Sequence, residues 1–381
     1  MKIDDFANQI GAWLKGEGPD SDIIISTRLR LARNVRGFVF LTYANAKQRG
    51  DIESFIKEKL ELVSLPEELL APKTPNDLGA PQAGGKNGTD EKPVRTDQPG
   101  GLIYFRMKDL TALDRQFLVE RHLISQDHAR PNGYRAVAIE KKEKVSIMIN
   151  EEDHLRLQVI HAGLQLTEGW KEIDKIDSQI EKHIPYAFSA QFGYLTACPT
   201  NVGTGLRISV MLHLPALSMS QQIEKVLNAL SRIKYTARGF YGEGTQASGD
   251  FYQISNQVSL GKSETEIINE MQNIIPEIIK FERNWRDKLL ADNDKKLKDR
   301  IMRAYGILKH AETITSEEAM KHLSLVRLGV TLKVIKDIAI KTINELFIFT
   351  QPAHLQKISK KELAPNARDV TRAKYIKSHL N

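Results

Sequence analysis

Five arginines in this 381-residue chain stand beside turn-forming or acidic residues: Arg28 and Arg30 in "STRLR", Arg156 in "NEEDHLR", Arg207 in "GTGLR" and Arg238 in "RGFYGEG". A guanidinium fork stays charged and matches phosphate oxygens in pairs, so several converging forks could hold a nucleotide triphosphate without a P-loop lysine. Arg28 and Arg30 alternate along the strand-like run "DIIISTRLR", which sends both to one face. Singly, each reads as a surface or ion-pair arginine; the set carries the argument. A second constellation is acidic. Asn150, Glu151, Glu152 and Asp153 directly follow the apolar run "VSIMI", and Glu243 lies between Gly242 and Gly244. Such acids either neutralise nearby arginines or clamp a substrate guanidinium, fix its attacking nitrogen and take its proton. The only cysteine, Cys198, precedes a proline in "YLTACPTNVGTGLR".

Two apparent nucleotide motifs fail on spacing. "LGKS" at 260–263 resembles the end of a Walker A loop, but the glycine required five residues before Gly261 is Asn256. "GTGLRI" lacks the last glycine of a dinucleotide fingerprint, and no HRD or DFG set is present. One cysteine excludes a disulfide framework and clustered-cysteine zinc sites, so no metal ligand is assigned and a reducing compartment, the cytoplasm by default, is expected. The balance of 55 basic and 48 acidic residues is a modest excess with no zinc-finger or RNP1 pattern, so direct nucleic-acid binding is not expected. No run approaches the roughly 18 apolar residues of a membrane span.

The elements that must position these residues alternate. The run at 23–33, "KVSIMIN" and "RISVMLHL" read as strands; 51–70, 168–183 and 220–232 have helical spacing. This is an α+β pattern, an antiparallel sheet flanked by helices, running to about residue 285. Residues 72–101, rich in Pro, Gly, Asn and Asp, read as a flexible surface insertion. Beyond 285 the chain reads as an all-α domain with helices at 297–309, 316–327, 331–349 and 366–379. The stripe from Ile267 to Ile279 is helical and expected to bend at Pro276. The division expected is 1–22, 23–285 and 286–381.

"STRLRLARN", "INEEDHLRLQ", "YLTACPTNVGTGLR" and "RGFYGEGTQASGDFYQISNQ" resemble the ATP:guanidino phosphotransferases, the phosphagen kinases, over about residues 23–285. With "VERHLIS", "LSLVRLG" and "RDVTRA" the whole chain resembles the McsB-type bacterial protein-arginine kinases. The insertion at 72–101 is the main departure. The resemblance implies that Glu152 and Glu243 hold the substrate guanidinium with Cys198 beside it as a thiolate or polar neighbour. It implies nucleotide contacts from Arg28, Arg30, Arg156, Arg207 and Arg238, with His122 near the nucleotide. Ser26, Thr27 and Leu29, then Ile208, Ser209, Val210 and Met211, then Gly239, Phe240, Tyr241 and Gly242 fall in matching nucleotide-binding stretches. The implied reaction is in-line transfer from ATP, with Mg²⁺ held chiefly by phosphates and water.

A kinase for a free guanidino compound is one alternative. Such enzymes carry a helical domain before the "STR" strand, whereas 25 residues precede Ser26 here, which favours an arginine displayed on a protein. A non-catalytic adaptor for a chaperone–protease or repressor is the other; retention of the carboxylates, the cysteine and all five arginines argues against it. "RDVTRA", from Arg368 and Asp369 to Arg372 and Ala373, matches the family motif for an allosteric phosphoarginine site, its arginines four apart on one helix face. Partners implied by the family are a McsA-like activator, the Clp unfoldase and a CtsR-like repressor in stress response and protein quality control, with homodimerisation.

Overall fold

A computed structural model describes residues 2–66, 101–239 and 249–380. Its strands are β1 (Ile24–Arg33), β2 (Leu102–Arg106), β3 (Ala136–Glu140), β4 (Val145–Ile149), β5 (Leu155–Ala162), β6 (Phe188–Ser189), β7 (Gly193–Tyr194), β8 (Leu206–His213), β9 (Tyr235–Arg238) and β10 (Phe251–Asn256). The helices are α1 (Ala46–Leu60), α2 (Ala112–Glu120), α3 (Leu166–Glu181), α4 (Pro215–Met219), α5 (Ile223–Arg232), α6 (Glu264–His310), α7 (Ser316–Thr331), α8 (Ile340–Phe349), α9 (Pro352–Ser359) and α10 (Pro365–Leu380).

β1 is the spine. It pairs antiparallel with β5 along one edge and β8 along the other, inside a sheet ordered β2-β3-β4-β5-β1-β8-β10-β9. Every pairing in this sheet is antiparallel, so the flanking helices and the antiparallel sheet expected from the sequence are both present. The two-residue period splits β1 by chemistry. Leu29 and Leu31 join Ile208 and Val210 of β8 in one core, where α1 supplies Ile52 and Ile56 and α3 supplies Ile173, Ile176 and Ile180. Each such side chain, withdrawn from water, contributes about 1.5–3 kcal/mol relative to exposure. Arg28 and Arg30 emerge on the opposite face. There Ile25, Ile160 and Met211 pack with Trp13 and the apolar residues of α7 and α8, so the C-terminal helices roof part of the sheet.

α6 links the two cores. Ile267, Met271 and Ile275 enter the first, and Leu297, Ile301 and Leu308 enter the second. Ser263 caps the helix by accepting from the Glu266 N–H, and Pro276 lies within the helix without ending it. The helix expected over 331–349 is in fact a turn followed by α8. Lys333 takes a left-handed φ of 60°, and the Gly329 carbonyl accepts from the Val334 and Ile335 N–H groups, which ends α7 near Thr331. α1 begins earlier than its periodicity suggests because Asn45 and Gln48 form a capping box at its start. Residues 72–100 of the expected insertion lie outside the described residues. Among the described residues no helix is long and apolar enough to cross a membrane.

The end of β1 is fixed by a buried ion pair. Arg33 donates from Nε and NH2 to Asp177 Oδ2 at 3.1 and 2.7 Å, and from NH1 to the carbonyls of Ala32 and Thr204. Its guanidinium lies 3.5 Å from the centre of the Tyr194 ring. Replacing Arg33 by Met should strand the Asp177 carboxylate and lower stability by about 3–5 kcal/mol. Urea unfolding followed by tryptophan fluorescence measures it; a change under about 1 kcal/mol would show that the pair does not anchor the strand.

Candidate active site

The arginine-bearing strands are neighbours. β5, β1, β8, β10 and β9 run side by side, with Ala32 opposite Arg156, Arg30 opposite Arg207 and Gln253 opposite Arg238. Arg28, Arg30, Arg156, Arg207 and Arg238 therefore line one cavity of about 580 Å³, together with His122 and Glu152. Arg28 NH2 donates to Gln253 Oε1 at 2.7 Å and Arg30 NH2 to Ser209 Oγ at 3.0 Å, both neutral acceptors. Arg156 NH1 reaches both oxygens of Glu151, at 2.6 and 2.5 Å, and Ser125 Oγ donates to the same carboxylate.

The cluster repels itself. Burial, then the charges of Arg156 and Arg207, push Arg28 down to about 9. Burial and then Arg28, Arg156 and Arg207 push Arg30 well below the ordinary arginine range, and its Nε is buried without a partner. Burial raises the Glu151 carboxyl, but Arg156 and Ser125 outweigh it and hold the group at about 2, so it stays ionised. A polyphosphate is the ligand such a surface favours, because its oxygens supply the acceptors and charge that the strands leave out. His122 is driven down to about 3 by burial and by Arg28, which keeps its imidazole neutral.

The acidic turn sits at the cavity wall. Asn150 adopts a left-handed φ of 59°, a conformation asparagine tolerates, and its Nδ2 donates to the carbonyls of Arg49 and Tyr134 at 2.9 and 3.0 Å. Glu152 is exposed at the cavity wall; partial desolvation, then Asp153 and Glu151, raise its pKa, while Arg156 and Cys198 oppose the shift. Asp153 is buried and accepts from Asn34 Nδ2 and the Ala197 N–H, each at 2.6 Å. One carboxylate thus ties the end of β1, the acidic turn and the cysteine loop together. Cys198 is partly exposed, with Sγ 3.0 Å from Thr200 Oγ1. The glycines of "GTG" serve backbone contact. A Cβ on Gly203 would lie 2.7 Å from the Ser259 carbonyl oxygen, and one on Gly205 2.6 Å from that of Ala32.

Not every residue singled out in the sequence reaches the cavity. Thr27, Leu29, Ile208 and Val210 point to the other face of the sheet; Thr27 Oγ1 donates to the Gly163 carbonyl, and the other three are core. Strand alternation leaves them no side-chain route to a ligand among the arginines. Ser26, Ser209 and Met211 border a small adjoining hollow with Trp13 and His122. Gly239 is buried. Phe240, Tyr241, Gly242 and Glu243 lie outside the described residues. Arg368 and Arg372 are not equivalent. Arg372 is buried, donating to the carbonyls of Thr350 and Ile314 and pairing with Asp369, whereas half-buried Arg368, among the described residues, reaches the Leu363 carbonyl, at 3.4 Å. Ala373 is core. Arg372, which shares a helix face with Arg368, is thus taken up by the carbonyls that frame the α8–α9 corner. Ser125, Arg130, Arg135 and Gln253 also line the cavity and were not singled out; only the place of Gln253 on the arginine side of "YQISNQ" could have signalled one of them.

Comparison with known proteins gives this geometry a family. Residues 92–285 match the ATP:guanido phosphotransferase C-terminal catalytic domain, and residues 294–381 match the protein-arginine kinase McsB C-terminal domain. A protein-arginine kinase of Halothermothrix orenii is 42% identical over 382 residues, covering all of both chains. The chain belongs to the protein-arginine kinase family. Another member, from Symbiobacterium thermophilum, is 44% identical over 97% of this chain and 96% of its own. A duplicated taurocyamine kinase from Schistosoma mansoni, solved with transition-state-analogue components, is 26% identical with a TM-score of 0.56. The match covers 70% of this chain and 34% of that longer one. Lombricine kinase shares the fold at 24% identity and a TM-score of 0.53, over 74% of this chain and 70% of its own.

Removing the Asp153 carboxylate as Asp153→Ala should free the cysteine loop. Turnover is expected to fall about 10- to 100-fold while nucleotide affinity stays within about twofold, read as kcat against ATP titration. Equal losses in both would place Asp153 in general folding instead.

Proposed function

We propose that this protein transfers the γ-phosphoryl group of ATP to arginine side chains of proteins. The observation that carries the reading is the cage of partly buried arginines facing the Glu152 turn across one cavity. Arg28, Arg30, Arg156, Arg207 and Arg238 bind and align the triphosphate, and Mg²⁺ travels with its phosphates and water. Glu152, joined by Glu243 on the strength of its motif, orients the acceptor guanidinium. Attack forms the N–P bond as the bond from Pγ to the β,γ-bridging oxygen breaks, ADP leaves, and the guanidinium proton passes to a carboxylate. A guanidinium has a pKa above about 12, so its proton must leave as attack proceeds. Glu152, raised by burial and its acidic neighbours, is a stronger proton acceptor than a free glutamate. Cys198 favours the charged form of Glu152.

The same proposal includes a cytoplasmic homodimer acting in stress response and protein quality control with a McsA-like activator, the Clp unfoldase and a CtsR-like repressor; family membership supports these. For the C-terminal phosphoarginine site, Arg368 is the contacting arginine and Arg372 holds its frame.

With Mg-ATP, an unstructured arginine-containing protein should acquire acid-labile phosphoarginine, and free arginine should be at least about tenfold poorer in kcat/KM. Rapid phosphorylation of free arginine would favour a small-guanidine kinase, and no transfer to either would favour the adaptor. Glu152→Ala should lower kcat at least about 100-fold with ATP affinity kept; unchanged turnover would remove its role. Because the ionised carboxylate is the working form and its pKa is raised, kcat should fall with decreasing pH through an apparent pKa above the ordinary 4.5. A flat acid limb down to that value would contradict the assignment.

A further inference from the structure

Glu120, Arg121 and His122 are consecutive and serve three different neighbours. Glu120 ends α2, is 2% exposed, and accepts from the Ala353 N–H at 2.9 and 3.1 Å and from the His354 N–H at 2.9 Å. These are first-turn donors of α9, which lack partners inside their own helix. Arg121 donates from Nε to both oxygens of Glu143, at 3.0 and 2.9 Å, and from NH2 to the Gln9 carbonyl at 2.8 Å. His122, at a left-handed φ of 58°, turns into the arginine cavity, its ring edge-on to Trp13 at 5.4 Å.

A second route joins the same parts. His354 of α9 donates from Nε2 to the Ala7 carbonyl at 3.0 Å and stacks on Phe349 at 4.3 Å. Ala7 and Gln9 belong to the N-terminal segment that carries Trp13 to His122. On its far side the corner between α8 and α9 is held by Arg372, whose Nε donates to the Thr350 carbonyl at 2.8 Å. Residues 350–354 are therefore gripped by α10 from one side and by the residue two before His122 from the other.

We propose that Glu120 is a positioning residue that couples helix α9 of the C-terminal region to His122, so that the placement of the α8–α9 corner sets nucleotide affinity. The inference rests on the reading of the arginine cavity as the nucleotide site. The hydrogen bonds that Glu120 accepts from the backbone run to Ala353 and His354 of α9, so its effect on the cavity travels through His122 and the N-terminal segment. Burial lifts the Glu120 carboxyl to about 7 against the pull of the Ala353 and His354 N–H groups, Gln116 and Arg372, consistent with a carboxylate that depends on α9 for its acceptor bonds.

The test uses the full-length protein and ATP titration, with thermal midpoint, KM and kcat measured beside it. Glu120→Gln keeps the shape and loses the charge. It is expected to raise the Kd and KM for ATP about 3- to 10-fold and change kcat less than about twofold. Combined with His122→Ala it should bind no more weakly than His122→Ala alone, since both act through one contact. Should Glu120→Gln fail to fold, His354→Leu, which breaks the link to Ala7, is expected to weaken ATP binding in the same sense. A purely structural role would lower the thermal midpoint and kcat without moving the Kd. Unchanged affinity in the folded variant, or full additivity with His122→Ala, would overturn the coupling while leaving the cavity reading intact. Wild-type protein that does not bind ATP would overturn both.

Discussion

Mutual repulsion among guanidinium groups set into one face of a sheet is the constraint from which the rest of this molecule follows. Arg28 and Arg30 are withdrawn from water beside Arg156 and Arg207, and the hydrogen-bond acceptors given to the first two are an amide and a hydroxyl. Arg156 is paired with a carboxylate, that of Glu151. Such an arrangement is costly without an anion and becomes favourable with one. It needs a rigid base, because flexible arginines would simply turn out to solvent. Five neighbouring antiparallel strands, buried on the reverse face by α1, α3 and α6, provide that base.

In the proposed reaction, substrate chemistry is separated from phosphate binding by architecture. The arginines assigned to phosphate come from strands, where register fixes their spacing; the groups assigned to the acceptor come from turns, where single hydrogen bonds fix direction. Asp153 links those turns by accepting from Asn34 and Ala197 at once. The result brings Glu152 and Cys198 together although 45 positions separate them in the chain. The C-terminal helices do more than cover the sheet. They fill the core beside β1 and β8 and reach the N-terminal segment and α2, so the helical region and the cavity share supporting side chains.

Local rules carried the sequence reading a long way. Alternation in "STRLR" placed Arg28 and Arg30 on one face, and the same rule excludes Thr27 and Leu29 from the cavity, although motif matching had included them. The sheet class, the position of α10 and the grouping of five arginines were legible because each depends on short-range periodicity or on a family pattern. The end of α7 was not, since it depends on Lys333 taking a left-handed conformation that composition does not announce. The burial of Arg372 was equally hidden, because helix spacing gives a shared face but says nothing of the carbonyls of Thr350 and Ile314 that occupy it. Gln253 and Glu120 matter only through residues far away in the chain, beyond the reach of local pattern.

The account stands on the cage binding phosphate charge, and a ladder of ligands measures this most directly. Calorimetric titration with ATP, ADP, AMP and adenosine at two ionic strengths should show affinity falling stepwise as phosphates are removed, and weakening with salt most strongly for ATP. Adenosine or AMP binding as tightly as ATP, with no dependence on salt, would contradict it.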